Sequence, residues 1–254
     1  MFGWTGKLQM SDLNTFGRHS TRQGFTLVEM AIVLFVVALL LGGLLPTLSG
    51  QVEQQRRNDT RKQMDEIQQA LIGFVISKGR LPCAADGTIA TVPGVQNGAG
   101  QENCAAAVTK GVLPWATLGV NETDSWGWRY TYQVTANWAD NIDGTGASCN
   151  VTTGVSFQLC STPTLNVLAT VGGLNLTPQS VPVVIVSHGK NGYGAYTPNG
   201  GSRLATGPDA DETDNSNGNV NFVSKQMTPT FDDLVVWISP NVLFNRMVAA
   251  GKLP

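Results

Sequence analysis

Residues 30–50 carry no charge at all, yet an acid, Glu29, stands immediately before them. A helix rises about 1.5 Å per residue, and about 20 apolar residues suffice to cross a hydrocarbon core. The run therefore predicts a helix that begins in a membrane. A carboxylate at the edge of such a helix costs a few kcal/mol and is kept only with a partner or a function. An ordinary secretory signal places its cut site after a short apolar core. Here the polar leader and Gly24 come before the apolar stretch, which runs past Leu45 without an A-x-A-like exit. Charge does not orient the span, because Lys7, Arg18 and Arg22 precede it while Arg56, Arg57, Arg61 and Lys62 follow.

The join Arg22-Gln23-Gly24-Phe25-Thr26-Leu27-Val28-Glu29-Met30 resembles the class III signal of type IV pilins and type II secretion pseudopilins. The resemblance implies a membrane prepilin peptidase that cuts after Gly24 and methylates the new N-terminus at Phe25. Glu29 becomes the fifth residue of the mature chain, where the family pairs it with the N-terminal amine of a neighbouring subunit. Two charges in low dielectric offset each other's desolvation only when well paired, so such a pair reports register. Pro46 lies where many of these proteins kink their long helix, and its missing N–H and ring clash supply the cause. The resemblance further implies an inner-membrane, single-pass precursor with a periplasmic C-terminal domain. Its partners are other pilins or pseudopilins and the inner-membrane assembly platform.

On this reading residues 1–24 are a leader, 25–50 a transmembrane or filament-core half-helix, 51–79 its amphipathic continuation and 80–254 a globular domain. Losing Lys7, Asp12, Arg18 and Arg22 takes the formal charge from −2 to about −4. An acidic balance argues against general nucleic-acid binding. All four cysteines, Cys83, Cys104, Cys149 and Cys160, follow the span, and an even number in an oxidising compartment predicts two disulfides. Sequence order suggests Cys83–Cys104 and Cys149–Cys160. A four-thiolate metal site wants C-x-x-C pairs, and the sequence has none.

The helix turns amphipathic through Ile67, Ala70, Leu71, Phe74 and Val75 and should end at Gly79, ahead of Pro82. The mixed charges of residues 53–66 read as a solvated helix surface. Residues 82–124 form a long glycine- and alanine-rich connection with one ordered piece at Leu113-Pro114-Trp115, and the resemblance makes it a subunit-contact loop. Aromatics at every second position from Trp126 through Trp128 and Tyr130 to Tyr132 predict a strand over 126–134 with its rings against the helix. Further strands are predicted at 154–159, 181–187 and 234–238, the last two as continuous apolar runs. A closing helix is expected over 241–250, with Pro240 before it and Gly251 after it. The predicted class is α+β: a long N-terminal helix packed on an antiparallel sheet with a short C-terminal helix, which is also the pilin fold.

No enzymatic activity is expected. His19 and His188 are the two histidines, His19 falls in the leader, and the chain has no G-x-S-x-G elbow, H-E-x-x-H or Walker lysine. Gly189, Gly192 and Gly194 read as a turn after a strand, which makes His188 a strand-end residue. One cluster offers ligands: Asp209, Asp211, Glu212 and Asp214 supply hard oxygens of the kind calcium prefers. They lie in the C-terminal third, where major pseudopilins carry a calcium loop. The spacing is not that of an EF-hand and no bidentate Glu follows, so a solvated loop is the simpler reading. Asp140-Asn141-Ile142-Asp143-Gly144 reads as a turn with a weaker claim to a cation. The expected function is that of a structural pilus or pseudopilus subunit. The alternative is a membrane-anchored periplasmic binding or adhesion module.

Overall fold

The computed structural model describes residues 24–104, 109–139 and 154–253, without the side chains of 42–49. In chain order its elements are α1 (Leu27–Lys78), β1 (Lys110–Val112), α2 (Trp115–Leu118), β2 (Thr131–Val134), α3 (Ala136–Ala139) and β3 (Asn166–Leu168). β4 (Val183–Ser187), α4 (Ala210–Asp214), β5 (Asn221–Val223), β6 (Leu234–Ile238) and α5 (Pro240–Ala249) follow. The chain divides into two compact units, Met1–Gly50 and Gln51–Pro254.

In the first unit the described apolar side chains from Phe25 to Leu41 are exposed, Leu27 at 87%. Among the described residues no helix is long and apolar enough to cross a membrane. The uncharged run has only residues 30–41 within the described side chains, about 18 Å of helix against a core of about 30 Å. The rest of the predicted span, residues 42–49 with Pro46, lies outside the described side chains.

In the second unit the α1 stripe is Thr60, Met64, Ile67, Leu71 and Val75, all buried and spaced by three and four. Ala70 and Phe74, predicted within the stripe, lie half-buried at its margin. Arg80 stacks over the Phe74 ring at 5.5 Å. The charged residues Asp59, Arg61, Lys62, Asp65 and Glu66 face solvent. α1 ends where Gly79 takes φ 74° and donates its N–H to Val75 O at 2.8 Å, a left-handed cap that favours glycine. Arg80 then forms a two-pronged pair with Glu102, at 2.8 and 2.9 Å, beside the Cys83–Cys104 disulfide. Cys160 is also disulfide-bonded, while its predicted partner Cys149 lies outside the described residues.

The stripe packs on a four-stranded antiparallel sheet of order β1-β2-β4-β6. Val183 pairs with Ile238, Ile185 with Val236 and Ser187 with Leu234. Side chains alternate faces along a strand. Val183 and Ile185 therefore meet the helix cluster, and Val184 and Val186 meet a second cluster with Leu165, Val167, Val181 and Phe222. Both faces of β4 are covered, which is why its sequence is a continuous apolar run. The second cluster includes residues of a separate two-stranded parallel pair, β3 with β5. The architecture is α+β, with α5 closing the helix-side core through Leu243 and Met247.

Two strand expectations change. β2 starts only at Thr131 because Asp124 turns the chain before it: Oδ1 accepts the N–H groups of Trp126 and Trp128, each at 3.0 Å, and Gly127 bonds back to Asp124 O at 3.1 Å. Tyr130 and Tyr132 enter the helix-side core and Trp126 packs partly against it, but Trp128 does not join that cluster. Residues 154–159 form no strand. Ser156 donates its N–H to Gly79 O at 2.9 Å and Phe157 stacks on Trp138 with centroids 4.2 Å apart, so the segment is held by packing and turn bonds.

The long connection is held by Arg129, which is fully buried. Its Nη1 donates to Gly87 O and Ile89 O, both at 2.9 Å, and its Nη2 to Thr91 Oγ1 at 2.8 Å and Pro198 O at 3.2 Å. Nε donates to Glu122 Oε1 at 2.9 Å, and the guanidinium lies 4.6 Å from the Trp115 ring centroid. All five donors of the fork are thereby satisfied. Arg129→Ala is expected to cost about 3–5 kcal/mol, since it strands Glu122 and three carbonyls. Urea unfolding checks this, and a loss under about 1 kcal/mol would contradict the assignment.

Candidate functional site

Helix α1 opens with the segment that the sequence singles out. Gly24, Phe25 and Thr26 precede it without regular structure, and Gly24 is exposed with open space around its Cα. Thr26 and Glu29 then form a reciprocal cap. Glu29 N–H donates to Thr26 Oγ1 at 3.2 Å, while Thr26 N–H and Oγ1 donate to Glu29 Oε2 at 2.9 and 3.0 Å. Thr-x-x-Glu is the capping-box pattern, which satisfies N–H groups that a helix start leaves unpaired. In a single chain, then, Glu29 serves the helix it begins.

Residues 19–45 match the prokaryotic N-terminal methylation motif. This is the type IV pilin and pseudopilin signal. Comparison with curated proteins and with solved structures finds no match. The methylation motif takes in Gly24, Phe25 and Glu29, with Pro46 just beyond its matched end. It implies processing by a prepilin peptidase and assembly partners of the pilin kind.

The acids of the 209–214 cluster are divided among partners: Asp209 and Asp211 share Lys225, while Glu212 and Asp214 turn elsewhere. Asp209 caps α4, accepting Asp211 N–H at 2.9 Å, and takes Thr230 Oγ1 at 2.9 Å. Asp211 pairs with Lys225 and accepts Thr170 Oγ1 at 2.9 Å and Val171 N–H at 2.8 Å. Burial alone would raise the Asp211 pKa, but these donors and the Lys225 charge hold it below the usual carboxylate range. Asp214 accepts the side-chain amides of Asn217 and Asn219 at 2.7 and 2.8 Å. Glu212 alone of the four turns toward other acids, Asp232 and Asp233, with one oxygen from each of these three lying within 4.8 Å of the others. The turn at 140–144 lies outside the described residues.

Sequence reading missed Asp232 and Asp233. The available signal was two acids directly ahead of a buried apolar strand, where solvent cannot serve both. Asp233 is 3% exposed and Glu212 1% exposed. His188, buried at the end of β4, contacts Thr131 Oγ1 through Nε2 at 2.7 Å and brings Nδ1 to 3.7 Å from Asp233 Oδ1. Burial pushes its pKa down to about 3, and the Arg203 charge adds to the effect, so the imidazole is neutral at pH 7. Burial raises Asp233 well above the carboxylate range despite the Asn215 hydrogen bond, with Glu212, Asp232 and Asp209 adding repulsion. Glu212 and Asp232 are raised for the same first reason.

A carboxyl whose folded pKa is raised favours folding below its unfolded pKa, and loses that contribution as pH rises through the folded value. In metal-free buffer, therefore, the chain should lose stability as pH rises from the ordinary carboxylate range, about pH 4, through the raised values of these carboxyls. Asp124, also raised by burial, acts with the same sign, so the wild type minus Asp233→Asn difference isolates the cluster. Denaturant titrations across this window check it. A wild-type slope no steeper than that of Asp233→Asn would count against the assignment.

Proposed function

We propose that the chain is a structural subunit, a minor pilin or pseudopilin, made as an inner-membrane prepilin, cut after Gly24 and N-methylated at Phe25. The match of residues 19–45 to the methylation motif carries this reading. Two further observations support it. The 21 uncharged residues 30–50 amount to about 31 Å of helix, the thickness of a hydrocarbon core. Among the described residues the apolar side chains from Phe25 to Leu41 are exposed, and lipid or a bundle of like helices would cover them.

The proposed mechanism is mechanical. The apolar helix leaves the bilayer for a filament core made of the same segment from other subunits, and head-to-tail contacts of this kind extend as an open helix. Glu29 exchanges its Thr26 cap for the methylated amine of a neighbour, so a mispaired register leaves a charge uncompensated in low dielectric. The second unit, Gln51–Pro254, is displayed on the filament as a folded module without catalytic work. Its partners are prepilin peptidase, other pilins or pseudopilins and the assembly platform in the inner membrane.

Expression of the full chain with its own peptidase, followed by peptide mass spectrometry, should yield N-methyl-Phe25 as the first residue, absent when Gly24 is replaced. Glu29→Ala should insert and be cut but fail to enter filaments. A chain retaining residues 1–24, or one that enters no filament and keeps its function when Glu29 is replaced, would instead support a membrane-anchored periplasmic binding module.

A further inference from the structure

The four-stranded sheet has β1 at one border and β6 at the other. β1 is closed from outside by Ala85, whose N–H donates to Val112 O at 2.9 Å while Val112 N–H donates back to Ala85 O at 3.0 Å. β6 is arranged differently. Thr135 N–H donates to Pro182 O at 2.8 Å, which turns the main chain of Pro182 toward β2. Direction alternates along a strand, so Val183, Ile185 and Ser187 bond toward β6, where they meet Ile238, Val236 and Leu234. The main-chain groups of Val235 and Trp237 therefore point away from the sheet. Gln68 Nε2 reaches Trp237 O from that outer side at 2.9 Å. Among the described residues nothing bonds Val235 N–H, Val235 O or Trp237 N–H. We propose that this edge takes an extended segment of a second polypeptide as an added strand, with apolar and polar side chains alternating along it.

The open groups are main-chain donors and an acceptor at strand spacing. An extended backbone matches them, whereas a helix spends its own N–H and C=O groups internally. The edge already takes one amide, that of Gln68, where a visiting N–H would otherwise lie. Edge strands are ordinarily blunted by lysine, proline or a bulge. Residues 234–238 carry neither lysine nor proline, and their pairing with β4 runs without interruption. A cavity of about 360 Å³ borders the strand, lined by Arg61, Met64 and Asp65 of α1 and by Ser224 and Lys225. Val235 and Trp237 lie on the face of the second cluster and are half-buried, so apolar guest residues beside them would complete their cover. The guest residue between those two would share the face of Val236, the helix side, where Arg61 and Asp65 stand exposed and suit a polar or charged group. The guest is thus read by its backbone first and by a period of two second.

The test adds a capped peptide of alternating valine and threonine between terminal lysines to the full chain in detergent, followed by residue-resolved hydrogen exchange. The amides of Val235 and Trp237 should slow by about tenfold or more at saturation. A copy of the peptide N-methylated on the edge that faces β6 should bind at least about tenfold more weakly, having lost its main-chain donors. Val235→Pro removes an outward N–H and leaves the bonds to β4 in place, so it should fold and ignore the peptide. If that variant does not fold, the N-methylated copy decides alone. Exchange unchanged by the peptide overturns the proposal, as does equal binding of the N-methylated copy or binding that survives in folded Val235→Pro. Protection of both amides that arises without peptide and grows with protein concentration would make a second copy of this chain the occupant, and overturns it too.

Discussion

The second unit depends on burying the stripe of α1 from Thr60 to Val75 against one face of β4 and its neighbours. Met64, Ile67, Leu71 and Val75 each contribute about 1.5–3 kcal/mol by leaving water. That face alone would leave Val184 and Val186 uncovered, and the cluster with Leu165, Val167 and Phe222 covers them. The parallel pair of β3 and β5 thus follows from the double-sided apolar sequence of β4. Polar atoms at the margins fix how the helix meets the sheet. Gln63 Oε1 accepts Tyr130 OH at 2.8 Å, Gln68 Nε2 donates to Trp237 O at 2.9 Å, and Thr60 Oγ1 accepts Ser125 N–H at 3.2 Å.

Much of this was legible because it rests on periodicity and on caps. The end of α1 at Gly79, the strands β4 and β6, and α5 behind Ser239 and Pro240 all follow from local signals that tertiary structure leaves in force. The alternation of Trp126, Trp128, Tyr130 and Tyr132 pointed to one strand, yet a single buried carboxylate, Asp124, captures two N–H groups and closes a turn through half of it. β1, β3 and β5 are three residues each, too short for a period of two to stand out. The methylation signal at the N-terminus is pure local chemistry and could be read residue by residue.

The acidic segment shows the opposite limit. Composition groups Asp209, Asp211, Glu212 and Asp214, but the cap and first turns of a five-residue helix give them different partners. Asp211 and Asp214 find Lys225 and two asparagines, and only Glu212 is left to meet acids 20 and 21 residues onward. Spatial neighbours are set by where β6 begins, which no spacing rule within the loop encodes.

Arg129 grips the connecting region largely through main-chain carbonyls, those of Gly87, Ile89 and Pro198. Every residue type offers a carbonyl, so this anchor is indifferent to most of the letters it holds. Gly87 is constrained by the Tyr196 ring beside it, but the side chains of Thr88, Val92 and Val95 are exposed. Such a loop can change its chemistry from one lineage to another while its path stays fixed.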